Sequence, residues 1–319
     1  MKLDEVLQGL MQEGKGILLA GETTEGENER LAAFGAGSED ARRTYREILF
    51  TTPGIEEHLS GIILSPESVH GAASDGTLFL TLIASRKIFA GILFDEKTDD
   101  AKLSETLREY ASHGASFAAF TLAASVSDEP MTDELQKNIG ALAARAKISH
   151  AGNVMPLLLL DVSMYGAHTA AHAEDSILEA LSLLSDSLKA GRVDIKNVII
   201  GVSMAVSGSD NPARAPASEV AERSVRALTT AIPETGGVVF LSDAQYPEEA
   251  TANLNALARL EPLPWPIAFC FSKTLQDPVL TAWKGSPENF ADAQAVFKDR
   301  LSLLSQADAA GYSKTLEEE

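Results

Sequence analysis

Short, nearly unbroken apolar runs punctuate the chain, and each is followed by a longer amphipathic stretch. The runs are GILLA at 16–20, GIIL at 61–64, FAGILF at 89–94 and FAAFTL at 117–122, then MPLLLLD at 155–161, NVIIGVSM at 197–204, GVVFLS at 237–242 and PIAFCF at 266–271. Runs with so little polar alternation mark strands buried on both faces, the habit of a parallel sheet. Between them the period is helical. Ile177, Leu181, Leu184 and Leu188 share one face, and Phe290, Ala293, Phe297, Leu301 and Leu304 share another. Ser286 is expected to cap that last helix, with Pro287 at its first position. A helix over 216–232 is expected to stop before Pro233 and the Gly236-Gly237 pair. The eight strand–helix units show no Gly/Ser-rich linker, no low-complexity tract and no short repeat. They predict a single α/β domain, a (β/α)8 TIM barrel over 1–319, with 305–319 a flexible C-terminal tail. A doubly wound open sheet is the alternative.

One position interrupts the pattern. Gly201 sits in the middle of NVIIGVSMAVSG, where a buried strand wants a large apolar side chain. A bulge, a closely packed neighbour, an approaching ligand or the loss of a side chain would each account for it.

Composition narrows the class. The chain has 319 residues, 45% apolar and 23% charged, as ordinary globular proteins do. Its formal net charge of −20 opposes nucleic acid and anionic membranes as partners. The start, MKLDEVLQGLMQEG, is acidic and amphipathic, without a signal peptide's basic and apolar regions. The longest apolar run, about six residues near Met155–Leu160, is far short of a membrane span. Cys270 is the one cysteine, so no intrachain disulfide forms, which suits a reducing compartment. The expected location is the cytoplasm.

In a barrel the chemistry gathers where strands end. The ends carry Gly21, Glu22 and Thr23; Leu93, Phe94 and Asp95; Ala119 and Thr121; Leu159 and Asp161; Gly201 and Ser203; Ser242 and Asp243; and Cys270, Ser272 and Lys273. Reactive groups are few. No lysine falls inside a predicted strand, no Walker-type phosphate loop is present, and no Ser/His/Asp set is signalled by spacing. His168 and His172 stand four residues apart, a spacing that puts two imidazoles on one helical face, yet without HExxH. Solvated or capping histidines are the plainer reading. No metal and no cofactor is expected. Lys273 reads as an anion contact, a displaced amine nucleophile or a snorkelling surface lysine, and Cys270 as a buried apolar residue. Glu22, Asp95 and Asp161 offer carboxylates for acid–base work, or simply loop hydrogen bonding.

Four longer segments carry a resemblance. GKGILLAGETTEGENERL at 14–31, RRTYREILFTTPG at 42–54, VVFLSDAQYPEEATANLNAL at 238–257 and TLQDPVLTAWKG at 274–285 resemble, in order, the class I fructose-bisphosphate aldolases. That family has the (β/α)8 fold and cleaves a phosphorylated ketose through a Schiff base on a sixth-strand lysine. The resemblance puts that lysine at Gly201. It puts the first-strand acid at Gly21, the third-strand lysine at Leu93, the fourth-strand lysine at Ala119 with a phosphate-binding arginine at Thr121, and the strand-five acid/base glutamate at Leu159. Other positions are kept in part. Glu22, Thr23 and Asp161 leave a residual polar pocket. Arg30, Ser242, Ser272 and Lys273 are candidates for a small phosphorylated or anionic ligand, with Asp243 standing where the family has glycine. The functional tyrosine of the family's C-terminal tail has only Tyr312 as a counterpart, followed by SKTLEEE.

Such losses belong together. Buried lysines and carboxylates compensate one another, and removing one sign leaves the other unpaired at a cost of several kcal/mol. The expectation is an aldolase-family barrel without its catalytic machinery, working by binding or scaffolding. It would be homo-oligomeric, a tetramer by the resemblance, and one that mixes with an active relative is a further form. The alternatives are a functional lyase of glycolytic sugar phosphates, a different reaction in the remodelled pocket, or a small-molecule binding barrel that uses Lys273.

Overall fold

Eight apolar runs become eight parallel strands that close on themselves. The computed structural model describes residues 2–21, 25–127 and 131–318, and of residues 25–27 the backbone alone. The strands are β1 (Gly16–Ala20), β2 (Leu59–Leu64), β3 (Phe89–Phe94), β4 (Ala115–Ser125), β5 (Met155–Ser163), β6 (Ile199–Ser203), β7 (Gly237–Leu241) and β8 (Ile267–Phe271). They pair in sequence order, and β1 meets β8 with Ile17 opposite Cys270. The fold is therefore a closed (β/α)8 barrel, and the open-sheet alternative is excluded.

Helices surround it: α1 (Leu3–Leu10), α2 (Glu25–Ala33), α3 (Glu39–Thr51), α4 (Phe79–Ser85), α5 (Leu103–Ser112), α6 (Asp133–Ala151), α7 (Ala170–Gly191), α8 (Ala217–Ala231), α9 (Pro247–Ala258), α10 (Lys273–Trp283) and α11 (Phe290–Asp308). Alternation along each strand sorts its side chains into two apolar layers. In β5, Leu158, Leu160 and Val162 face the helices, where Ile177, Leu181, Leu184 and Leu188 of α7 are also buried. Met155, Leu157 and Leu159 face the barrel interior. The amphipathic start of the chain closes that interior from below. Val6, Leu10 and Met11, in and just after α1, join the interior cluster, and the Leu10 carbonyl accepts from Ser60 Oγ at 2.7 Å.

Several boundaries differ from expectation. The β4–β5 pair continues in register to Ser125 and Ser163, past the end of the apolar runs, and there the Ala123 and Ser125 side chains of β4 are exposed. Ser286 makes no side-chain cap. A 3-10 turn at Pro287–Asn289 precedes α11, with the proline at its first position. Residues 305–308, placed in the tail by the sequence pattern, are the last turn of α11. Beyond it Tyr312 is buried and donates to Glu317 Oε1 at 3.0 Å, and Glu317 pairs with Arg300 at 2.6 Å.

Candidate functional site

Gly201 lies in β6 between Leu159 of β5 and Val239 of β7, with no register shift on either side. It is not a bulge. A Cβ added there would stand 2.3 Å from Leu159 Cδ2 and 3.2 Å from Val239 Cγ2. Leu159 therefore occupies the space above the glycine, and both residues are buried. The same device recurs at Gly91, whose missing Cβ makes room for the Phe117 ring at 2.2 Å. Small residues beside large ones fill a tapering barrel.

The neighbouring positions singled out by the resemblance are equally apolar. Leu93 pairs with Ala119, and Ala119 with Leu157. A Cβ at Gly21 would touch Leu93 at 3.0 Å. Leu93, Ala119 and Leu159 belong to one buried interior cluster. Across all eight strands the only ionisable side chains are Asp161 and Cys270. Burial pushes the Cys270 thiol far up, which leaves it an inert apolar residue.

Polar groups begin at the rim, and they satisfy one another. Asp161 accepts from Ser203 Oγ at 3.3 Å. Ser242 Oγ shares a 2.8 Å hydrogen bond with Thr274 Oγ1. Arg30 binds the Asp277 carboxylate and donates to Gln276 Oε1 at 3.0 Å. An incoming phosphate would have to compete with Asp277 for that guanidinium. Gln276 is a hub that also donates to the Leu19 carbonyl at 2.7 Å and to Ser272 Oγ at 3.2 Å. Ser272 is thus a residue of the β8–α10 junction. Asp243 accepts from the Met164 amide at 3.1 Å.

Lys273 opens α10, where its ammonium meets the Tyr165 hydroxyl at 3.3 Å and lies 5.6 Å from the ring centre. Burial pulls its pKa down, but the Tyr165 hydroxyl and the Asp243 charge outweigh it and hold the ammonium above its ordinary value. A cation–π contact and a neighbouring carboxylate both favour the charged form. Glu22 and Thr23 lie outside the described residues.

The histidine pair does not share a helical face. His168 precedes α7, whose N-cap Thr169 accepts from the His172 amide at 3.3 Å. Burial, with His172 and Arg214 nearby, lowers the His168 pKa. Among the described residues no group of three or more His, Cys, Asp or Glu is placed to hold a metal ion, and no helix is long and apolar enough to cross a membrane. Asp95 caps its own loop, accepting from the Lys97 amide at 3.0 Å.

Reasoning from sequence missed Tyr165, Thr274, Gln276 and Asp277. Each contacts a candidate far away in the chain, 247 residues in the case of Arg30 and Asp277, so no local pattern announces the pair.

Comparison with known proteins agrees with this architecture. A family description reading "Glycolytic: Fructose-bisphosphate aldolase class-I" matches residues 2–319. The cytosolic fructose-bisphosphate aldolase 5 of Arabidopsis thaliana is 33% identical over 317 residues, covering 94% of this chain and 88% of that one. A probable class 1 fructose-bisphosphate aldolase of Xylella fastidiosa is 31% identical over 316 residues, covering 94% and 95%. The fructose-bisphosphate aldolase of Plasmodium falciparum, solved in complex with TRAP and a small-molecule inhibitor, superposes with a TM-score of 0.90 at 29% identity, covering 98% of this chain and 95% of that one. With a matching family description over nearly its whole length and relatives above 30% identity, this chain belongs to the class I fructose-bisphosphate aldolase family.

Proposed function

We propose that this chain is a non-catalytic member of its family, working by binding or assembly rather than by carbon–carbon bond cleavage. The observation that carries the reading is the packing at Gly201, where Leu159 fills the space a β6 side chain would need. Schiff-base chemistry requires a desolvated amine of lowered pKa inside the site. No strand supplies a lysine. Lys273 is a poor substitute, because its surroundings hold the ammonium charged. The apolar residues at 93, 119 and 159 fit a site that lost its lysines and carboxylates together, since a remaining buried charge would be unpaired.

An aldolase assay on the purified chain, with fructose 1,6-bisphosphate and a coupled dehydrogenase, tests this. The expected rate equals the blank. Turnover that scales with protein concentration and survives repurification overturns the reading in favour of a functional lyase. A second reading, a small-anion receptor, is favoured by the cluster of Lys273, Ser242, Ser272 and Arg30 at the rim. By the family resemblance the protein is a cytoplasmic homotetramer. Light scattering tests the assembly, and a mass of one chain contradicts it.

A further inference from the structure

Outside the barrel, between α3 and the segment that follows β2, lies a cavity of about 540 Å³. That is within the range of small-molecule sites, roughly 300–1,000 Å³. Arg42, Arg43 and Arg46 line one wall. Their spacing puts all three on one face of α3, since residues three and four apart are neighbours on a helix. The facing wall is the 3-10 turn Pro66–His70 and the loop after it, with Ser68 and His70 lining the cavity. Glu47 of α3 fixes that loop, accepting from the Ser74 amide at 3.0 Å and from Ser74 Oγ at 2.6 Å.

Charge is sorted by depth. Arg46 is buried and Arg42 and Arg43 are half-buried, whereas the acidic lining residues Glu39, Asp40 and Glu67 are exposed. The Asp40 side chain is 93% exposed. Hydrated carboxylates are well screened, so they neutralise a partly desolvated guanidinium poorly. Among the described residues, the partners of Arg42 and Arg43 leave donors over. Arg42 gives one hydrogen bond to the Gly37 carbonyl, and Arg43 reaches Asp40 and Glu47 only at 3.6 Å each. In a chain of net charge −20, three arginines lining one wall, with the lining carboxylates exposed and the half-buried Glu47 engaged by Ser74, make a place where the local field opposes the global one.

We propose that this cavity binds a small organic oxyanion, a carboxylate or phosphate group carried on a polar body. Guanidinium forks match both groups bidentately. The exposed acids are left to meet hydroxyl or amino groups of the same molecule.

Isothermal titration with inorganic phosphate and with citrate, at pH 7 and constant ionic strength, tests the site. Wild type is expected to show one saturable site for at least one probe. Arg42→Ala/Arg43→Ala weakens it tenfold or more, and Arg43→Lys weakens it less, because the charge stays and the fork goes. Lys273→Ala leaves it unchanged. Preference for phosphate assigns a phosphoester ligand, and preference for citrate assigns a polycarboxylate. The proposal is overturned by the absence of saturable binding, by equal binding in the double variant, or by loss in Lys273→Ala, which would move the site to the barrel mouth. Circular dichroism checks the fold of each variant, and the single changes Arg42→Gln and Arg43→Gln stand in if the double variant unfolds.

Discussion

Gly201→Ala puts a methyl group where Leu159 already is. The new Cβ would meet Leu159 Cδ2 at 2.3 Å and Val239 Cγ2 at 3.2 Å. Leu159 is 1% exposed and enclosed by the interior cluster, so its escape by rotation is limited. Overpacking of this kind costs about 1–3 kcal/mol. Alanine regains about 0.4–1 kcal/mol by restricting the unfolded chain. The net expectation is a loss of up to about 2.6 kcal/mol. Leu159→Ala alone opens a cavity and costs about 2–5 kcal/mol. In that background the clash is gone, and Gly201→Ala becomes neutral or stabilising. The two changes therefore couple by about 1–3 kcal/mol, within the range for residues in contact. Urea unfolding of the four proteins, followed by circular dichroism and extrapolated to water, measures the cycle. If the two changes are additive, or if Gly201→Ala stabilises the otherwise unchanged protein, position 201 faces open space and the packing argument fails.

Other perturbations follow from the same geometry. Gly201→Lys alone is expected to yield no aldolase turnover, because Ala119 and Leu159 give the new amine no charged partner, while the buried ammonium lowers the unfolding midpoint; a coupled assay and a melting curve read both. Asp308, at the end of α11, accepts from the Gly14 amide at 2.8 Å with its other oxygen unpartnered, and burial pushes its carboxyl up to about 8, with Glu13 and Glu261 adding to the rise. It is protonated in the fold and ionised in the unfolded chain between about pH 4 and pH 8. Stability therefore falls as pH rises across that window, by at most about 1.4 kcal/mol per unit from this group, and Asp308→Asn flattens the slope of melting temperature against pH. An unchanged slope contradicts it. Asp243→Asn keeps the acceptor for Met164 but removes a charge that favours the Lys273 ammonium, so the Lys273 pKa should fall when followed by NMR titration, and an unchanged titration contradicts that coupling.

The barrel was legible because each strand announces itself locally. MPLLLLD and NVIIGVSM need no partner to read as buried strands, and the helical faces at 177–188 and 290–304 complete the units. Edges were read less well. The β4–β5 extension over Ala123–Ser125 and Val162–Ser163 is short and built mostly of small side chains, so only pairing reveals it, and the cap expected of Ser286 is not made. The role of Gly201 was open for a related reason. Whether a strand glycine marks a bulge, a ligand or a packed neighbour depends on Leu159, 42 positions away, and only the barrel's register brings them together. The arginines of RRTYREIL were visible as a motif, and their common face follows from helical spacing. The wall that turns that face into a cavity comes from residues 66–76 and could not be inferred.

The central claim is that no amine is positioned to form a Schiff base, because Leu159 and its neighbours occupy the place where one would stand. Borohydride reduction of the protein in saturating fructose 1,6-bisphosphate, followed by intact mass and peptide mapping, tests it most directly. The account predicts an unchanged mass, with an active family member trapped alongside as the positive control. A stoichiometric adduct mapped to any lysine, Lys273 included, contradicts it.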